Sequence, residues 1–179
     1  MKIILAIGAA VLLCAAQAQA HVGMLSPDSV SRGQSFKAVI AVPHGCESSA
    51  TTAIKIHIPE GIIAVKPQPK AGWRINKSEG AYAQTYDYYG TPLKQGVNEL
   101  TWQGRLGDDE YDEFVFKAYA AAIPAGTDKL YFKLEQQCEN GRLLWTDVSG
   151  QKINGHAAAE LGAPFIPVKN DDAAAVHHH

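Results

Sequence analysis

The sequence predicts an all-β fold, an antiparallel Ig-like β-sandwich. Three observations predict it. Helical periodicity is nearly absent, short runs alternate apolar and polar residues with period two, and turns rich in glycine and proline punctuate them. Short strands at this spacing form sandwiches, with a closed barrel as the alternative.

The chain opens with Lys2, an apolar run from Ile3 to Ala16, and the small-x-small triplet Ala18-Gln19-Ala20. That order is the signature of a secretory signal peptide, so residues 1–20 are expected to be cleaved off. Ala16-Gln17-Ala18 offers a second cut one dipeptide upstream, and Cys14 offers a lipoprotein cut. The sequence "AQAQA" fits cleavage after Ala20 better. The apolar run is short for a bilayer span and no later stretch is long enough. A periplasmic or secreted chain with no membrane span after processing is expected.

Beyond Ala20 the strands follow in order. "SFKAVIAV" (Ser35–Val42) sets Phe36, Ala38, Ile40 and Val42 on one side. "TAIKIHI" (Thr52–Ile58) sets Ile54, Ile56 and Ile58 on one side, with Lys55 and His57 opposite. "AYAQTYDYY" (Ala81–Tyr89), "VNELTWQG" (Val97–Gly104), "DEFVFKAYA" (Asp112–Ala120), "KLYFKLEQ" (Lys129–Gln136) and "RLLWTDV" (Arg142–Val148) continue the pattern. Turns fall at 59–61, 67–72, 90–92, 124–126 and 139–141. One domain, residues 21–168, is expected on length. The segment 169–179 ("KNDDAAAVHHH") has no apolar pattern and reads as a disordered tail. Its terminal histidines are a weak metal ligand or the remnant of a purification tag.

Composition narrows the function. The formal net charge is −2 at pH 7, one unit more negative once Lys2 leaves, and there is no basic block. Nucleic acid and anionic membrane surfaces are therefore not expected partners. Cys14 leaves with the leader, so Cys46 and Cys138 remain, and two cysteines allow one pairing. In an oxidising compartment they are expected as a disulfide rather than as thiolate ligands for a soft metal. Closing a loop of roughly 90 residues stabilises by about 4–5 kcal/mol on the chain-entropy model. No G-x-S-x-G or H-E-x-x-H motif is present. The cysteine of "HGC" would be lost as a nucleophile in the disulfide.

Cleavage after Ala20 makes His21 the first residue. It then offers a free α-amine and imidazole Nδ1, which close one chelate ring on a metal. The amine pKa lies near ~8, so a metal displaces its proton at neutral pH. Two nitrogens in one plane suit the tetragonal preference of Cu(II).

The stretches "HVGMLSP", "VPHGCESSATTAIKIHIPEGIIAVKPQPKAGW", "LTWQGRLGDDEYDEFVFKA" and "QCENGRLLWTDV" resemble, in that order, the YcnI-like family of secreted copper-binding domains. The resemblance runs from His21 to about Val148. It implies an Ig-like sandwich that holds Cu(II) in a single-histidine brace completed by a glutamate and covered by a tryptophan. By motif, His21 matches the brace, Glu113 of "DEFVF" the glutamate and Trp145 of "LLWTD" the tryptophan. The implied role is non-enzymatic copper storage, transfer or homeostasis, with periplasmic copper chaperones or copper importers as partners.

The residue chemistry is compatible. A carboxylate is an oxygen donor for Cu(II), and Glu113 points away from the face shared by Phe114 and Phe116. Glu110 and Asp112 are the alternative carboxylates. An indole is a donor-only group, so Trp145 would act by presenting its ring to the cation and excluding water. Trp73 and Trp102 are expected in the core. A copper oxidase or monooxygenase on the same brace would need a second histidine, for which His44, His57 and His156 are the candidates. Met24, the only methionine after the leader, argues against a methionine-rich Cu(I) site. A metal-free interaction domain is the remaining alternative.

Overall fold

The computed structural model describes residues 21–150 and 161–169. The expected signal peptide at 1–20, His156, and residues 170–179 of the expected tail lie outside them. Among the described residues there are twelve strands and no helix. They are β1 (Gly23–Ser26), β2 (Ser35–Val42), β3 (Thr51–His57), β4 (Ile62–Pro67), β5 (Arg74–Tyr88) and β6 (Thr91–Leu106). After these come β7 (Asp112–Ala120), β8 (Lys129–Tyr131), β9 (Leu134–Cys138), β10 (Arg142–Asp147), β11 (Leu161–Gly162) and β12 (Phe165–Pro167).

The strands form a four-stranded sheet, β1-β2-β7-β4, and a six-stranded sheet, β11-β10-β9-β3-β6-β5, with β12-β8 as a small third ladder. All pairings are antiparallel except β10 with β11. The two larger sheets face one another, so the fold is the expected sandwich and not a closed barrel. Ile40, Phe114 and Phe116 come from one sheet and Ile54, Ile56, Leu100 and Leu134 from the other, all fully buried in one core cluster. Trp102 meets Phe114 edge to face across the gap at 5.6 Å. Alternation produces this layer directly, because every second residue of each strand points inward.

Trp102 is a core residue as expected, while Trp73 packs against the core only partly buried. Trp73 lies over Gly104, where an added Cβ would come within 2.5 Å of its ring. Cys46 and Cys138 are bonded, with their Cα atoms 6.0 Å apart. The bridge ties the loop between β2 and β3 to the end of β9.

The β5–β6 hairpin is far longer than its sequence signal. Its turn, Tyr89-Gly90, has both residues at positive φ, 51° and 84°, which is the hand a two-residue hairpin requires. The distal end reaches the smaller sheet, where Tyr88 and Tyr89 sit 5.3 and 5.1 Å from Tyr119 of β7.

Candidate metal-binding site

His21 lies two residues before β1, an edge strand of the four-stranded sheet. Val22 points into the core at 4% exposure, which pins this segment to the sandwich, and His21 beside it is exposed. The His21 ring stands 5.9 Å from that of Trp145, at an interplanar angle of 75°. Trp145 lies on β10 of the opposite sheet and is 1% exposed. Two of the three residues singled out by motif are thus in ring contact.

Trp145 is held in place by Gln136 of β9. The indole Nε1–H donates to Gln136 Oε1 at 3.2 Å. The Gln136 amide nitrogen donates to the His44 carbonyl and to Thr51 Oγ1, both at 2.8 Å. Gln136 and Thr51 are fully buried. A buried amide is tolerated because its hydrogen-bonding groups are matched. The network continues into the disulfide loop, since His44 and Cys46 share it. The sequence reading did not single out Gln136. The signal was present: in "LEQQC" it is in phase with Leu134 and Cys138, which places a polar side chain on the inward face.

Glu113 lies on the outer face of β7, two strands across from β1. It pairs with Ala41, which in turn pairs with Gly23. Its carboxylate accepts a hydrogen bond from the Tyr111 hydroxyl at 2.7 Å. That bond, with burial and the negative charge nearby adding to it, raises the Tyr111 pKa above its ordinary value. The neighbouring carboxylates have other tasks. Glu110 accepts the Gly107 amide at 2.7 Å and closes its own turn. Asp112 pairs with Lys70, whose ammonium also donates to the Glu113 carbonyl at 3.0 Å. Of the three, Glu113 is the one whose side chain closes no turn and pairs with no cation.

Among the described residues, no group of three or more His, Cys, Asp or Glu side chains stands close enough together to hold a metal ion. The donor side chains of the motif are the His21 imidazole, before β1, and the Glu113 carboxylate, two strands away on β7. His57 is a half-exposed residue of β3 whose Nδ1 is 3.6 Å from Glu99. His44 Nδ1 lies 2.6 Å from the Gly45 carbonyl.

A family model described as "Domain of unknown function (DUF1775)" matches residues 21–168, from His21 through the last strand. No curated protein matches the chain. Among solved structures, the chain is similar to an uncharacterized protein from Nocardia farcinica whose crystal structure reveals an immunoglobulin-like fold. The two are 17% identical with a TM-score of 0.58, over 84% of this chain and 99% of that one. At that identity the likeness speaks for the fold.

Proposed function

The chain belongs to the DUF1775 family, the family of the YcnI-like proteins, and from that premise we propose that, once cut after Ala20, it is a secreted or periplasmic Cu(II)-binding protein. It acts in copper storage, transfer or homeostasis rather than in catalysis. Periplasmic copper chaperones or copper importers are the partners such a role requires.

One observation carries the reading. His21, the residue that cleavage would make the N-terminus, is exposed at an edge strand with its ring against a buried, hydrogen-bonded tryptophan. The amine and Nδ1 of a terminal histidine supply two nitrogens in one chelate ring. Glu113 is the carboxylate that would add an oxygen and cancel one of the two positive charges. Trp145 shields one side of the imidazole from solvent, which favours holding an ion over turning over exogenous ligands.

The test is an EPR titration of Cu(II) into the chain beginning at His21 and into the same chain with one extra residue in front. A tetragonal signal saturating at one equivalent in the first, and lost in the second, is expected. Identical spectra would place the copper elsewhere and overturn the proposal. Glu113→Gln should weaken binding without removing it, since the two nitrogens remain.

A further inference from the structure

A second site lies on the outer face of the smaller sheet, and it does not depend on the copper reading. Lys37 of β2 pairs directly with Lys117 of β7. Lys117 pairs on its other side with Lys66 of β4. Three exposed lysines thus form one row across three neighbouring strands, their Cα atoms within about 10 Å. Like charges directly opposite one another destabilise a sheet. Among the described residues none of the three makes an ion pair, and the chain as a whole is acidic.

The third lysine is brought into the row by a backbone irregularity. Ile63 pairs with Tyr119 and Lys66 with Lys117, so β4 spends one residue more than β7 between the two pairs. Ala64 within this bulge has φ +52°, the left-handed region that a non-glycine residue rarely adopts. Without the extra residue, alternation would turn Val65 outward and Lys66 into the core. Val65 instead belongs to the core cluster. Bulges re-aim side chains in this way.

The row stands over a hollow of about 490 Å³, lined also by Ser35, Gln68 and Val115. Tyr119, with Tyr88 and Tyr89 against it, occupies the next row of the same face. The volume is that of a small-molecule cleft. The polar groups available are three ammonium donors, a hydroxyl and an amide. We propose that this groove binds a small polyvalent oxyanion, a molecule whose two or more carboxylate or phosphate groups spread along the lysine row. A single anionic group engages one or two of the lysines. A polyvalent one engages all three and relieves their mutual repulsion.

The experiment is calorimetric titration of the metal-free chain with citrate and with inorganic triphosphate at low ionic strength, with sulfate as the single-group comparison. One site is expected for at least one of the two polyvalent ions, weakening as salt rises. Citrate alone would assign polycarboxylates, and triphosphate alone condensed phosphates. Lys117→Gln and Lys66→Gln should each lower affinity by about tenfold, the worth of one charge-assisted hydrogen bond. Lys94→Gln, on the exposed part of β6, should leave it unchanged. In the ion-free chain Lys117→Gln should also raise Tm, because repulsion is removed, whereas a lysine retained for structure would lower it on replacement. No binding of either ion, binding no tighter than sulfate, or affinity indifferent to Lys117→Gln would overturn the proposal.

Discussion

Replacing Gln136 by leucine tests whether its amide organises the region beneath His21. The side chain is fully buried and makes three hydrogen bonds, accepting from the Trp145 indole and donating to Thr51 Oγ1 and the His44 carbonyl. Leucine has a similar size but offers none of these bonds. Two groups in fully buried side chains lose their Gln136 partner: the Trp145 N–H, and the Thr51 hydroxyl, which keeps only a weak 3.9 Å contact with Cys138 Sγ. Each stranded group costs about 1–3 kcal/mol, and the extra apolar surface of leucine returns about 1 kcal/mol. A net loss of about 1–5 kcal/mol is expected, measured by urea unfolding with the disulfide intact. The indole bond is isolated by a double-mutant cycle with Trp145→Phe, which removes the other partner. The two changes should couple by about 1–2 kcal/mol, because the second strands nothing once the first is made. A loss below about 1 kcal/mol for Gln136→Leu would refute the accounting. So would strict additivity in the cycle. Copper quenching of tryptophan fluorescence should also fall in Gln136→Leu if the indole is no longer fixed against His21.

Other outcomes follow from single contacts. Gly104→Ala should cost about 1–3 kcal/mol by thermal or urea unfolding, because the new methyl meets the Trp73 ring at 2.5 Å and the ring is packed on Phe114. Trp102 has a buried Nε1 with no hydrogen-bond partner among the described residues. Trp102→Phe therefore loses ring volume but no bond, and should cost less than Trp145→Phe, in which Gln136 loses its donor; comparing the two unfolding curves decides it. Tyr86 has its pKa raised above 10.0, by burial first and then by its hydrogen bond to Glu60. The folded state thus holds this proton more tightly than the unfolded state. Its contribution to stability is complete below pH 10.0 and is lost as pH rises through the raised value. Tyr86→Phe should flatten that alkaline loss in unfolding curves taken across the range.

Much of the fold was legible because strict alternation survives where one face is buried. Ser35–Val42 and Asp112–Ala120 match β2 and β7 to the residue, and β2 pairs with β7 along the whole of its own length. β4 was missed because the bulge at Ala64 destroys the alternation, leaving "IIAVKP" without a period. β5 was read only over its distal part, since much of Arg74–Glu79 is exposed and no apolar stripe marks it. "KLYFKLEQ" was read as one strand and is two. Leu130, Phe132 and Leu134 keep one inward phase, but the chain leaves one ladder and joins another between Tyr131 and Leu134. Phase alone does not record a change of partner. The pairing of Cys46 with Cys138 followed from counting. His21 and Trp145 were found by motif, and their contact is a property of the sandwich. Gln136 and Tyr111 were readable only as neighbours in phase, Gln136 with Leu134 and Tyr111 with Glu113. Such hints gain meaning once the strands are placed.

The long hairpin joins the two layers of the sandwich without any covalent link. It starts in the six-stranded sheet, and its tip rests on Tyr119 of the other sheet, with the Tyr89 hydroxyl 3.4 Å from Ser35 Oγ. The layers of a sandwich adhere largely through apolar contact, which is non-directional. A ribbon hooked around one edge opposes their sliding. Pulled along its strands, this domain would have to release the tyrosine tip before its sheets could shear. The force record of a Tyr89→Ser variant should therefore show an earlier rupture than the parent, at little cost in equilibrium stability.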